Sequence, residues 1–205
     1  MFISLDGIDG AGKSTQIDLL RKHLESKGAT VVCFRDPGST KLGEAVREIL
    51  LHREDIPLAN TSEMLLYMAA RAQLVAEQLK PALESGATVI CDRFLLANVV
   101  YQGVAGGLSV DDLWSVGLCA TGGLTPDATI VLDIDPEVAF KRIQRGPDRL
   151  EKRGLDYFRL VRQGFLEQVA NAGGKSTVVD ASQAIDRIHQ QIADFVDRTV
   201  VRRVI

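Results

Sequence analysis

GIDGAGKS, residues 7–14, sets a glycine, four intervening residues and then Gly-Lys-Ser, the spacing of a phosphate-binding loop. Gly7, Gly10 and Gly12 permit positive φ. The amides along Ile8, Asp9, Gly10, Ala11 and on to Ser14 and Thr15 can therefore turn inward and cradle an anion at the start of the next helix. Lys13 is placed to reach the β- and γ-phosphates of a nucleoside triphosphate, and the Ser14 hydroxyl suits the magnesium ion that rides on them. The flanks agree. Residues 2–5 are a short apolar run that predicts a buried strand, and Ile17, Leu20 and Leu24 share one helical face. A chance glycine-rich turn accounts for the glycines but not for a strand before them and a helix after.

At 205 residues, 46% hydrophobic and 25% charged, the chain predicts a single domain over residues 1–205. A net charge of −3 argues against a nucleic-acid partner. No apolar run approaches the roughly 20 residues that span a bilayer, so no membrane association is expected. The first residues read as strand where a signal peptide would be basic and then apolar, and the expected location is the cytoplasm. Cys33, Cys91 and Cys119 are widely spaced with no CxxC, and they read as reduced core residues.

Residues 29–34 predict a second strand, followed by RDPGST at 35–40, where Pro37 and Gly38 make a rigid turn at the sheet edge that binds ligands in open α/β folds. A long helix is predicted from Asn60 or Thr61, either of which can cap it, to a kink or break at Pro81. Tyr67 and Arg71, four apart on it, set a ring beside a guanidinium, as a base-binding pair would. Alternatively they are a core tyrosine and a surface arginine. Residues 87–91 form a third strand that ends on Asp92 and Arg93, charges that are expensive there unless used or paired. Asp92 can hold a magnesium-bound water and Arg93 can fork onto a phosphate, or the two can satisfy each other.

Ser109 and the Asp135-Pro136 pair predict further helix starts, residues 128–134 and 177–180 two more strands, and Ile185, Ile188, Ile192 and Phe195 a last helix. Between them Lys141, Arg142, Arg145, Arg149, Lys152 and Arg153 crowd a segment broken by Gly146-Pro147. This is either a solvated face or a basic lid, about residues 142–155, that closes on a polyanionic substrate. Five strands alternating with helices predict an α/β fold, a parallel sheet with helices on both faces. The residues thus point to a small magnesium- and nucleoside-triphosphate-dependent phosphoryl-transfer kinase.

GIDGAGKST at 7–15, RDPGST at 35–40, YMAARAQ at 67–73, DRF through YQG at 92–103, and DRLE followed by DYFRLVRQGF at 148–165 together resemble the thymidylate kinase family in order and spacing. The resemblance implies the P-loop kinase fold, transfer of a phosphoryl group from ATP, with Mg2+, to dTMP, and a homodimer. By position it implies that Tyr67 stacks on thymine and that Arg71 and Asn98, with Gln102 beside them, read the base edge. It makes Arg93 the monophosphate clamp near Arg35 and Pro37, puts Tyr101 under the deoxyribose, and faces Asp9 toward the sugar 3′-hydroxyl. Arg142 would lie on adenine. From the residues themselves, Ser14 and Asp92 would serve the metal, and Arg145 and Arg149, flanking the Gly146-Pro147 turn, would meet the transferring group. Asp36, Ser39 and Ala97 depart from the usual glutamate, glycine and serine. Two other readings compete. A nucleoside kinase would need a carboxylate base near a 5′-hydroxyl where a monophosphate acceptor needs Arg93, and a nucleotide-dependent switch would leave Tyr67, Arg71 and Asn98 idle and shows no NKxD motif.

Overall fold

The computed structural model describes residues 1–143 and 149–201. Five parallel strands, β1 (Phe2–Asp6), β2 (Val31–Arg35), β3 (Thr88–Asp92), β4 (Ala128–Asp133) and β5 (Lys175–Asp180), form one sheet in the order β2-β3-β1-β4-β5. The helices are α1 (Lys13–Ser26), α2 (Lys41–Leu51), α3 (Asn60–Leu74), α4 (Lys80–Glu84), α5 (Leu95–Asn98), α6 (Val110–Thr121), α7 (Pro136–Arg142), α8 (Leu155–Gln168) and α9 (Ile185–Val201).

Alternation along the strands divides the core. Ile3 and Leu5 of β1 and Ile90 of β3 join Ile17, Leu20 and Leu24 of α1 and Ile188 and Ile192 of α9. Phe2, Val89 and Cys91 point the other way and pack with Met64, Leu74, Phe94, Leu95 and Leu113. Helices thus cover both faces, as predicted. Because β1 runs on to β2 past β3 while its neighbour β3 runs on to β4 past β1, the connections leave these two strands in opposite directions, and a crevice opens beyond their carboxyl ends. Register sharpens this. Arg35 pairs with Asp92 and Asp92 with Leu5, so Asp36, Arg93 and the Asp6-Gly7 exit emerge side by side.

Local starts match the expectations at two helices and miss at one. The Oγ of Ser109 caps α6, and Asp135 caps α7 with Pro136 in its first turn; α2 is capped by the Oγ1 of Thr40, which was not anticipated. Helix α3 begins after Ala59 with no side-chain cap; Asn60 is its first residue, and its Nδ2 donates to the Gly106 carbonyl at 3.0 Å. Pro81 does not break the helix. A π-helical turn over Val75–Leu79 widens the spiral just before it, so Pro81 falls in the first turn of α4. Two cysteines also differ from the expectation. Cys91 is buried on the inner strand β3, whereas Cys33 and Cys119 are exposed, Cys33 because β2 is an edge strand; all three are free thiols.

Candidate active site

The loop between β1 and α1 takes the conformation that its glycines allow, with φ of 135° at Gly7, 81° at Gly10 and 93° at Gly12. At Gly7 a Cβ would lie 2.6 Å from the Leu132 carbonyl oxygen, and at Gly10 it would collide with the Ala139 carbonyl, so neither position accepts a side chain. Lys13 opens α1, buried, with its Nζ donating to the carbonyls of Gly7 at 3.1 Å and Ile8 at 3.0 Å and lying 3.7 Å from Asp9 Oδ1. Burial, seconded by the Arg93 charge, pulls its pKa below the usual lysine range. This loop floors a cavity of about 550 Å³ that extends to Arg35, Arg47, Asp92 and Arg93 on one side and to Arg142, Gln183 and Ile185 on the other.

A second, smaller cavity of about 70 Å³ opens beside the first and is lined by Pro37, Tyr67, Arg71, Ala97, Asn98, Tyr101, Gln102 and Leu150. Asp9, Asp36, Arg47 and Arg93 line both. A continuous polar chain runs along its wall. Arg71, only 1% exposed, donates from Nε to Asp36 Oδ2 at 2.6 Å and from Nη1 to Asn98 Oδ1 at 3.0 Å. It is thus a core arginine, not a surface one. Asn98 Nδ2 donates to Gln102 Oε1 at 2.7 Å, and Gln102 Nε2 donates to Glu63 Oε1 at 2.8 Å. Burial pushes the Asp36 carboxyl up even though Arg71 opposes it. Tyr101 packs edge-on against Phe158 and Phe165, and its buried hydroxyl, with no hydrogen-bond partner among the described residues, is pushed up by desolvation.

Arg93 stands where the cavities meet. Its Nη1 donates to the Gly7 carbonyl and its Nη2 to Asp9 Oδ1 at 2.8 Å, while the guanidinium lies over the Tyr101 ring. Burial alone would lower its pKa, but Tyr101 and the carboxylates of Asp9, Asp92 and Asp6 outweigh it and keep the group charged. Next to it Asp92 has a buried Oδ1 without a partner among the described residues and shares the large cavity with Ser14. A carboxylate oxygen and a hydroxyl are hard oxygen donors, and open space beside them leaves room for water and phosphate ligands; the set fits magnesium.

The predicted residues fall into three groups. Gly10 to Thr15, with Asp9, Arg35, Asp92, Arg93 and Arg142, line the large cavity, and Pro37, Tyr67, Arg71, Asn98, Tyr101 and Gln102 line the small one. Arg142 is exposed and donates to the Ala181 carbonyl at 3.2 Å, while Arg35 pairs with Glu44. Arg149 lines neither cavity, and its Nη1 donates to the Ile56 carbonyl at 3.3 Å. Arg145 lies outside the described residues. Four contributors were not anticipated from the sequence. Arg47 reaches both cavities from α2, anchored on the Pro37 carbonyl at 3.2 Å; Gln183 and Ile185 border the large cavity after β5; and Glu63 ends the polar chain. Arg47 lies one residue after the buried Val46, the only local hint that it turns inward.

A phosphate loop beneath one cavity, joined through arginines to a second that is walled by a ring, a guanidinium and amides, defines a nucleoside monophosphate kinase of the phosphate-loop class. Residues 5–192 match the family model for thymidylate kinase. The chain is 48% identical over 191 residues to the thymidylate kinase of Rhodopirellula baltica, covering 93% of this chain and 78% of that one. It is 43% identical over 204 residues to that of Symbiobacterium thermophilum, covering 99% and 95%. A crystal structure of thymidylate kinase from Ehrlichia chaffeensis superposes with a TM-score of 0.77 at 28% identity, over 96% of this chain and 98% of that one. The chain belongs to the thymidylate kinase family, enzymes that transfer a phosphoryl group from ATP to dTMP.

Proposed function

We propose that this chain phosphorylates dTMP to dTDP with ATP through the two joined cavities. An oxygen of the dTMP 5′-phosphate attacks the γ-phosphorus, the bond to the β-phosphate oxygen breaks, and ADP leaves. The observation that carries this is the sharing of Asp9, Asp36, Arg47 and Arg93 by both cavities. It makes their junction the place where donor and acceptor phosphates meet. Gly7 to Thr15 would cradle the ATP phosphates, Lys13 would neutralise the β- and γ-groups, and Arg142 with Gln183 and Ile185 would border adenine. Tyr67 would stack on thymine, Arg71 and Asn98 would bond its edge, Tyr101 would crowd the sugar 2′ position, and Arg93 with Arg47 would hold the monophosphate.

Magnesium would be held by the Ser14 hydroxyl and, through water, by Asp92, and when bound it supplies charge neutralisation on the phosphates. Catalysis is then positioning plus charge stabilisation with no covalent intermediate. We place the enzyme in the cytoplasm, a reading supported by its exposed free thiols Cys33 and Cys119. Leu65 of α3 and Leu118 of α6, 50% and 42% exposed on helices that touch, support a homodimer. The test is a panel of dTMP, dCMP, UMP and thymidine with ATP and magnesium. dTMP should be turned over far better than the others, and a preference for dCMP or for the unphosphorylated nucleoside rules the reading out.

A further inference from the structure

Glu63 is 3% exposed in the first turn of α3 and lines neither cavity, yet it terminates the chain of hydrogen bonds that reaches both side chains on the base-facing wall. Its Oε1 accepts from Gln102 Nε2 at 2.8 Å and its Oε2 from Arg153 Nη2 at 2.8 Å. Beyond Gln102 the bonds run to Asn98 and then to Arg71, whose Nε is held by Asp36. A carboxylate only accepts and a guanidinium only donates, so the two ends fix the direction of everything between them. Gln102 must turn its NH2 to Glu63 and its carbonyl to Asn98. Asn98 must turn its NH2 to Gln102 and its carbonyl to Arg71. Reversing either amide sets donor against donor or acceptor against acceptor in a buried contact.

We propose that Glu63 is a positioning residue that selects 4-oxo over 4-amino pyrimidines by locking the Asn98 amide; this rests on the dTMP reading above. Arg71 places its Nε on Asp36, its Nη1 on Asn98 and the Met68 sulfur, and its Nη2 on the Phe94 carbonyl, which leaves one Nη2 hydrogen. Asn98 Oδ1 retains a second lone pair. The wall thus offers one donor and one acceptor in fixed places, matched to the O4 acceptor and N3–H donor of thymine. Cytosine presents an amino group to the guanidinium and a bare N3 to the carbonyl. Its N3 could be met only if Asn98 turned over to present Nδ2, and Glu63 forbids that through Gln102, while its amino group faces the Arg71 donor in either case.

The experiment compares kcat/KM for dTMP, dUMP and dCMP in the wild type, in Glu63→Gln, whose amide can also donate, and in Gln102→Met, which cuts the chain. Both variants should lose about tenfold or more of the dTMP to dCMP ratio, chiefly through a higher KM for dTMP with kcat within about twofold. The dTMP to dUMP ratio should not move, since the two bases share this edge and differ only at the 5-methyl. A dTMP to dCMP ratio unchanged in the variants overturns the proposal, and so do two ratios that fall together, the mark of a merely loosened pocket. A wild type active on dTMP but indifferent to dCMP overturns it while leaving the kinase reading intact. A wild type inactive on dTMP overturns the kinase reading itself. If Glu63→Gln does not fold, Gln102→Met, which leaves the Glu63–Arg153 pair in place, carries the same comparison.

Discussion

Arg93 Nη2 donates to Asp9 Oδ1 at 2.8 Å, an ion pair that ties the end of β3 to the phosphate loop at the junction of the two cavities. The arginine holds this place from a left-handed backbone, φ 68°, which costs a non-glycine residue about 1–3 kcal/mol and persists only where the surroundings impose it. Arg93→Ala should lower kcat/KM for dTMP about 10²-fold or more, because Arg47 is then left to hold the monophosphate alone. Steady-state kinetics on a variant shown to be folded by thermal melting checks this, and a value within threefold of wild type removes Arg93 from the site.

Lys13 should be still more sensitive. Its ammonium caps the loop's own carbonyls and contributes little apolar packing, so Lys13→Ala should keep the fold and lose at least about 10² in kcat, as loss of a charge aimed at a developing anion does. Retention of more than about a tenth of kcat would sink the phosphate-loop assignment.

Asp6 makes a stability prediction with a definite sign. It is buried at the end of β1, with Ser4 Oγ donating to its Oδ2 at 2.6 Å and its Oδ1 unpartnered among the described residues, and desolvation pushes its pKa up to about 6 from 3.8. Below the unfolded pKa the carboxyl is protonated in both states and costs nothing. Between there and about pH 6 the folded state holds the extra proton, so stability falls as pH rises, by about 3 kcal/mol at most. Asp6→Asn should flatten that limb and raise stability at pH 7. Urea denaturation at pH 4, 5, 6 and 7 measures it, and parallel curves for the two proteins would refute it.

Ser39 sits at φ 62°, the one departure from the family pattern whose backbone consequence is visible. Its Oγ accepts from the Arg35 amide at 2.9 Å, which offsets the strain. Ser39→Ala keeps the strain and loses that bond, a loss of about 1 kcal/mol. Ser39→Gly loses the bond and the strain together and should lie within about 0.5 kcal/mol of wild type. Equal stability of the two variants would contradict this account.

What could be read from the sequence was whatever a short stretch decides for itself. The phosphate loop needs its glycines because of its own φ angles, and Ser109 and Asp135-Pro136 cap helices with bonds two or three residues long. Most of the misreadings involve partners far along the chain; Pro81, taken up by the π-turn just before it, is the exception. Asn60 enters α3 as its first residue and gives its amide to a carbonyl 46 residues on, and Cys33 is exposed because strand order, which no local pattern encodes, puts β2 at an edge. Glu63 went unnoticed because what holds it, Gln102 and Arg153, lies 39 and 90 residues away. Arg47 stayed invisible for the same reason, since only the folding of α2 over the 35–40 turn brings it to the phosphates' side.

The last prediction concerns the arginine that meets the transferring group. The variable positions of the loop, Ile8, Asp9, Gly10 and Ala11, carry no cation, and charge spreading over the γ-phosphoryl group has to be met from elsewhere, a contribution of about 10³ to 10⁵ in kcat. Arg93 and Arg47 line both cavities at their junction and, in the reading above, are taken up by the acceptor phosphate, which leaves the basic segment as the further source. In the conformation described, Leu150 lines the smaller cavity while the adjacent Arg149 donates to the Ile56 carbonyl, a neutral acceptor that a phosphoryl oxygen would outcompete. Arg149 should therefore swing in only when both nucleotides are bound, with Arg145 assisting. Arg149→Ala should lower kcat by about 10² or more, at the low end because a neighbour partly substitutes, and leave dTMP affinity without ATP unchanged within about twofold. A solvated basic face predicts near-wild-type kcat in Arg149→Ala, in Arg145→Ala and in the double variant. Measuring kcat and dTMP affinity for the three proteins separates the two accounts, and an unchanged kcat in the double variant refutes the lid assignment.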